Sequence, residues 1–146
     1  MLPFEQPDII IYSNHLIHSY LHWTGKLLAQ DAEALYHAPF PVISHGTQPD
    51  PIFCYANLTA QKLWKMDWAT FTALPSRLSA EPDAQENRQA LLAAAASQGY
   101  VDNYSGIRIT AEGKRFRIGQ CMLWNVVKTG GEKIGQAASF SQWEFI

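Results

Sequence analysis

Five arginines, Arg77, Arg88, Arg108, Arg115 and Arg117, could converge on an anionic molecule, although the polar residues Asn103, Ser105, Gln120 and Ser139 are the better ligand signal. A guanidinium fork matches a carboxylate or phosphate through paired hydrogen bonds, so several of them converging would make a site for a small anion. Asp50, Glu81, Glu86, Asp102 and Glu112 offer the competing explanation, ion pairs that fix loops to a sheet. Arg77 and Arg108 are the first of the five to test. A second set, Asn103, Ser105, Gln120 and Ser139, is set among apolar residues that include Met122 and Trp124. A mostly apolar wall with a few polar groups is the usual make-up of a small-molecule site. The same groups can also satisfy one another by hydrogen bonding.

Other reactive side chains offer less. His15, His18 and His22 fall within about 60° of one another on a helical wheel, a spacing open to metal binding, but no carboxylate or cysteine joins them and a solvated face explains them better. Cys54 and Cys121 form no C-x-x-C pair and no Cys/His metal spacing, which fits buried thiols and a reducing compartment. His45, Asp50 and Cys54 are separated by a turn and a strand, a poor acid-base group. No nucleophile elbow, Walker loop or H-E-x-x-H string occurs, so no catalytic residue is assigned.

The elements that must position these groups follow from patterning. Residues 13 to 29 place Leu16, Ile17, Tyr20, Leu21, Leu27 and Leu28 on one helical arc, predicting an amphipathic N-terminal helix. VISH and PIFCYA read as two short strands. Asn57 and Asp67 are placed to cap short helices, and Asp83 with Glu86 resembles a capping box for a longer one closed by Gly99. From Tyr100 on, three strands alternate with turns at Glu112-Gly113 and Gly130-Gly131.

A two-residue loop at Glu112-Gly113 sets Ile109 opposite Phe116 and Ile107 opposite Ile118. That register makes one face apolar, with Asn103, Ser105, Gln120, Met122, Trp124 and Ser139 continuing along it. It sets Arg108 opposite Arg117 and Gly106 opposite Gly119 on the other face, where another element would dock and each arginine would need an acid or an anion. The second turn sets Ser139 beside Met122 and Ala138 beside Leu123.

Strands, helices, then a three-stranded meander is the element order of the PAS fold. The run from Ser44-His45-Gly46 through DPIFCYAN, LPSRLSAEP, GYVDNYSGIRI, GKRFRI and GQAASF resembles the MEKHLA domain, a PAS-related family, over residues 40 to 143. Such domains occur at the carboxyl end of plant class III homeodomain leucine-zipper factors and as single-domain bacterial and cyanobacterial proteins. With no homeodomain or zipper, this chain is similar to the latter. The resemblance implies an α+β fold, a five-stranded antiparallel sheet with helices on one face, and an N-terminal helical extension (1–38) before the domain proper (39–146). It implies a role in sensing, small-ligand binding or dimer control, and supplies no known ligand. The Asn-Cys-Arg-Phe-Leu-Gln motif of flavin-binding light sensors is absent, and residues 84 to 98 hold no histidine of the kind that haem-binding members use. Any cofactor is thus unassigned.

Together these readings predict a sensor domain that holds an unidentified small molecule through Asn103, Ser105, Gln120, Met122, Trp124, Ser139, Arg77 and Arg108, signals through its outer sheet face and forms a homodimer. The alternative is a ligand-free interaction module; an enzyme is the weakest reading. With 47% apolar residues the chain can build a core, and a net charge of −2 disfavours nucleic acid as a partner. Ile9-Ile10-Ile11-Tyr12 is too short an apolar run to span a bilayer and follows no cationic segment, so a cytoplasmic protein is expected.

Overall fold

The computed structural model describes residues 1–146, the side chains of Pro82 and Asp83 excepted. A short 3-10 turn leads into α1 (Pro7–Thr24), which has Pro7 in its first turn and stops at Gly25 in the left-handed region (φ 73°). The helix starts and ends earlier than its apolar arc predicts. Pro7 presets the first helical φ and needs no partner for its missing N–H, and Gly25 terminates the run before Leu27 and Leu28. A further short helix, α2 (Ala32–Tyr36), is capped by Asp31, whose Oδ1 accepts from the Ala34 N–H at 2.8 Å.

Strands β1 (Val42–His45) and β2 (Phe53–Ala56) pair antiparallel. Helices α3 (Leu58–Trp64) and α4 (Trp68–Phe71) are capped by Asn57 and Asp67, which accept from the Ala60 and Thr70 N–H groups. Asn57 is fully buried and also bonds Val42 N, Leu35 O and Phe40 O, tying α2, β1 and α3 together through one amide. Helix α5 (Pro82–Gln98) begins with Pro82 after Glu81, ahead of the expected capping box, whose Asp83 lies outside the described side chains, and ends at Gly99 (φ 96°). The meander follows as β3 (Tyr100–Ile109), β4 (Arg115–Val127) and β5 (Lys133–Ser139), with a last strand β6 (Gln142–Phe145).

The strand order is β2-β1-β5-β4-β3, antiparallel throughout, and β6 pairs with the first half of β4. Helices α3, α4 and α5 lie on one face around Trp64, Phe71, Phe116 and Leu123. Helix α1 covers the other face through Leu16 and Ile17 against Met122, Trp124 and Val126. It is pinned there by polar bonds: Ser19 Oγ with both N and O of Val127, Trp23 Nε1 to Asn125 O, and Tyr12 with Ser44.

One register differs from expectation, and the difference relocates the arginines. The β3–β4 loop has three residues, Ala111-Glu112-Gly113, because Thr110 N–H bonds Lys114 O and the Thr110 hydroxyl accepts from the Glu112 and Lys114 N–H groups. Gly113 takes the left-handed position (φ 81°) that this loop requires. Arg108 therefore faces Phe116 and Ile107 faces Arg117, one step from the two-residue-loop register, and such a step exchanges the two faces. Two bulges, with Gln120 (φ 51°) and Asn103 (φ 54°) at positive φ, bring Tyr104 opposite Cys121 and Val101 opposite Leu123. The β4–β5 loop is likewise one residue longer than expected, Thr129-Gly130-Gly131, since Lys128 N–H bonds Glu132 O; a bulge at Val127 absorbs the extra residue and restores the predicted register from Val126 to Met122, which lies opposite Ser139.

Candidate functional site

Arg88 is on α5, in line with Leu91, Leu92 and Ala95, so that it occupies a core position of that helix. Arg108 is on the inward face of β3. Both are buried, 9% and 5% exposed, and they line one cavity between the sheet and helices α3 and α5. The cavity measures about 30 Å³, room for a water or two, so a larger occupant enters it by moving the side chains that wall it. Ser44, His45, Ser79, Tyr104 and Gln136 supply the rest of its polar lining; Ile43, Phe53, Trp64, Leu92, Leu123 and Phe140 make up most of the remaining wall.

Arg108 Nη1 donates to the Ile107 carbonyl at 2.8 Å and Nη2 to the Tyr104 hydroxyl at 3.1 Å. Neither buried arginine forms an ion pair among the described residues. Burial, with the neighbouring Arg108 charge, pulls the Arg88 guanidinium down to about 10, so it remains charged at neutral pH. Two cations therefore share a desolvated space without a described counter-charge. Gly106 makes room for one of them, since a Cβ there would lie 3.0 Å from Arg108 Nη1. We expect Gly106→Ala to displace that guanidinium, weakening anion binding about tenfold while unfolding free energy falls by less than about 1 kcal/mol, read by calorimetric titration beside urea unfolding.

His45, at the end of β1, is 6% exposed. Its Nδ1 lies 2.9 Å from the Gly46 carbonyl and so carries the proton, while Nε2 is buried with no partner among the described residues. Burial lowers the ring to about 4, which keeps it neutral near pH 7.

Of the eight residues assigned to the site from sequence, only Arg108 lines this cavity. Arg77 is exposed and pairs with Asp50 at 3.2 Å. Asn103 and Gln120 are exposed bulge residues, their positive φ having turned them out of the apolar face. Ser105 is exposed beside Arg117 on a shallow outer groove. Met122 and Trp124 are buried under α1, and Met122, Ser139 and Gln120 border a separate groove with Tyr20 and Phe40. Arg115 and Arg117 pair at the surface with Glu81 and Glu144. Arg108 and Arg117 thus lie on opposite faces, and only Arg117 meets an acid among the described residues. Gly119 is open, since a Cβ there would meet only Gln142 Oε1, at 3.7 Å; the close backbone approach occurs at Gly135 instead. Arg88 was one of the five arginines weighed from sequence but was left out of the assigned set, His45 was weighed there only for acid-base chemistry, and Gln136 was not singled out. The signal for Arg88 was present, a charged residue on the i, i+3, i+4, i+7 stripe of α5.

The histidines of α1 border a surface groove, and no group of three metal-ligating side chains occurs among the described residues. Both thiols are free. Burial pushes the Cys121 thiol up to about 12 and raises Cys54 as well. Fully buried Cys121 should resist a thiol reagent at pH 8 until the protein is unfolded, as a native-against-denatured thiol count would read. No described helix is long and apolar enough to cross a membrane.

The family model for the MEKHLA domain matches residues 10–145. No curated protein matches the chain. Among solved structures it is similar to the PAS domain of a protein from Colwellia psychrerythraea, at 14% identity and a TM-score of 0.66, covering 79% of this chain and 92% of that one. It is similar to an RNA-binding light-oxygen-voltage receptor at 17% identity and a TM-score of 0.64, covering 75% of this chain and 31% of that one. A light-oxygen-voltage domain studied with a flavin analogue gives 13% identity and a TM-score of 0.62, covering 79% and 83%. At these identities the likeness is one of fold.

Proposed function

The chain belongs to the MEKHLA domain family and has a PAS-like fold, and from that premise we propose that it is a sensory domain whose interior cavity binds a small anionic molecule. The observation that carries the reading is the pair Arg88 and Arg108, buried over one cavity with no carboxylate beside them among the described residues. A buried charge without a partner is costly, so two of them in one space are best explained by a ligand that neutralises them. The reading is one of binding rather than turnover. Helix α1, packed on the far side of the same strands, is the surface through which occupancy would be passed on.

Comparing the native and denatured masses of the purified full chain tests this. The expected result is a bound small molecule released on denaturation, or a melting temperature raised by added anions when purification has emptied the site. A native mass equal to the chain alone, with no anion raising the melting temperature, would overturn it.

Self-association is a second reading, favoured by Ile11 and Leu21 of α1, which are 59% and 43% exposed. Light scattering at micromolar concentration is expected to give twice the chain mass; a monomer removes this reading and leaves the first intact.

A further inference from the structure

We propose that the cavity is built for a small organic carboxylate that bears a hydroxyl group, the carboxylate held by Arg88 and Arg108 and the hydroxyl donating to His45 Nε2. This rests on the anion-binding reading above and names the ligand class.

Three features of the walls select that class. The first is charge. Arg108 spends one bond on Ile107 O and one on the Tyr104 hydroxyl, and Arg88 has no hydrogen-bond partner among the described residues, so most of the ten N–H groups of the two guanidiniums are unspent. Tyr104 accepts from Arg108 and directs its own proton toward the Cys121 sulfur, so the guanidiniums are what the cavity offers an anion.

The second feature is an acceptor. Nδ1–H is committed to the Gly46 carbonyl, so Nε2 of this cavity-lining residue keeps its lone pair, buried and without a partner among the described residues. A bare carboxylate offers that lone pair nothing but repulsion. A ligand hydroxyl offers it a hydrogen.

The third is the apolar remainder. Ile43, Phe53, Leu92, Leu123 and Phe140 would contact whatever lies between the charged and the accepting groups. Inorganic phosphate has no carbon body to place against them, whereas a short hydroxy acid does.

The test is calorimetric titration of the full chain with lactate, 2-hydroxyisovalerate and tartronate, each beside its deoxy partner propionate, isovalerate or malonate, and with inorganic phosphate. At least one hydroxy acid should bind about tenfold more tightly than its deoxy partner and than phosphate. In His45→Phe that preference should vanish while the deoxy acid still binds; in Arg108→Met both acids should lose affinity. Equal binding of hydroxy and deoxy acids overturns the hydroxyl assignment, and tighter binding of phosphate overturns the carboxylate. Failure of every acid with phosphate still bound sinks this inference and leaves the anion-binding reading standing. No anion bound at all sinks both.

Discussion

Replacing Arg88 with Met should make the ligand-free protein more stable while abolishing its anion binding. The guanidinium is 9% exposed, and desolvation together with Arg108 disfavours its charged form in the fold. Its folded pKa, about 10, lies below the unfolded value, so the unfolded chain holds the proton more tightly. The resulting destabilisation is present throughout neutral pH and fades only as pH rises above about 10, toward the unfolded value. The drop corresponds to roughly 3 kcal/mol. Met keeps much of the stem's volume and removes the charge, and such exchanges of buried ions gain about 1–4 kcal/mol. For a chain of this length that is a rise of roughly 2–4 °C in melting temperature per kcal/mol. Urea unfolding of ligand-free wild type and variant reads the first effect, and calorimetric titration with a carboxylate reads the second. A variant less stable than ligand-free wild type would mean that protein groups already satisfy the guanidinium, and the ligand would no longer be needed to explain it.

The second large effect is expected at Gly135, where β5 passes beneath α1. A Cβ at this position would collide with the His45 carbonyl and with the Tyr12 hydroxyl. The carbonyl is backbone in the centre of the sheet, held by β1 pairing with β5, and cannot swing aside. Tyr12 can move only by giving up its 2.7 Å bond to Ser44, one of the contacts that dock α1. Gly135→Ala should therefore cost about 3 kcal/mol, at the upper end for a single added methyl group in a packed core. Gly119→Ala, which meets only a flexible Gln142 side chain, should change stability by less than about 0.5 kcal/mol. Urea unfolding curves of the two variants check the contrast. Equal losses would show that α1 does not bear on the sheet as closely as Tyr12 and Gly135 place it.

Much of this architecture was legible in the chain. Asn57 and Asp67 cap the helices they were expected to cap, Gly99 ends α5, and the β4–β5 register is the expected one from Met122 to Val126. The site was less legible, for reasons that are local. Thr110 hydroxyl bonding selects a three-residue loop where Glu112-Gly113 also permits a two-residue one, and that single residue decides whether Arg108 points to the core or away from it. The bulges at Asn103 and Gln120 have no glycine to announce them, so residues that alternate correctly on paper lie outside the sheet face. His45 ends a strand of ordinary appearance, and its bare Nε2 depends on a bond to the neighbouring carbonyl that no pattern encodes.

Whether an anion sits between Arg88 and Arg108 can be read at the two guanidiniums themselves, in the side-chain resonances of the full chain, labelled on arginine, during titration with a small hydroxy acid. The Nε–H signals of these two buried residues, assigned through Arg88→Met and Arg108→Met, should shift together and saturate together. Signals of Arg77, Arg115 and Arg117, already paired at the surface, should stay in place. If the two buried signals do not move while the anion is added to excess, the cavity is not its site.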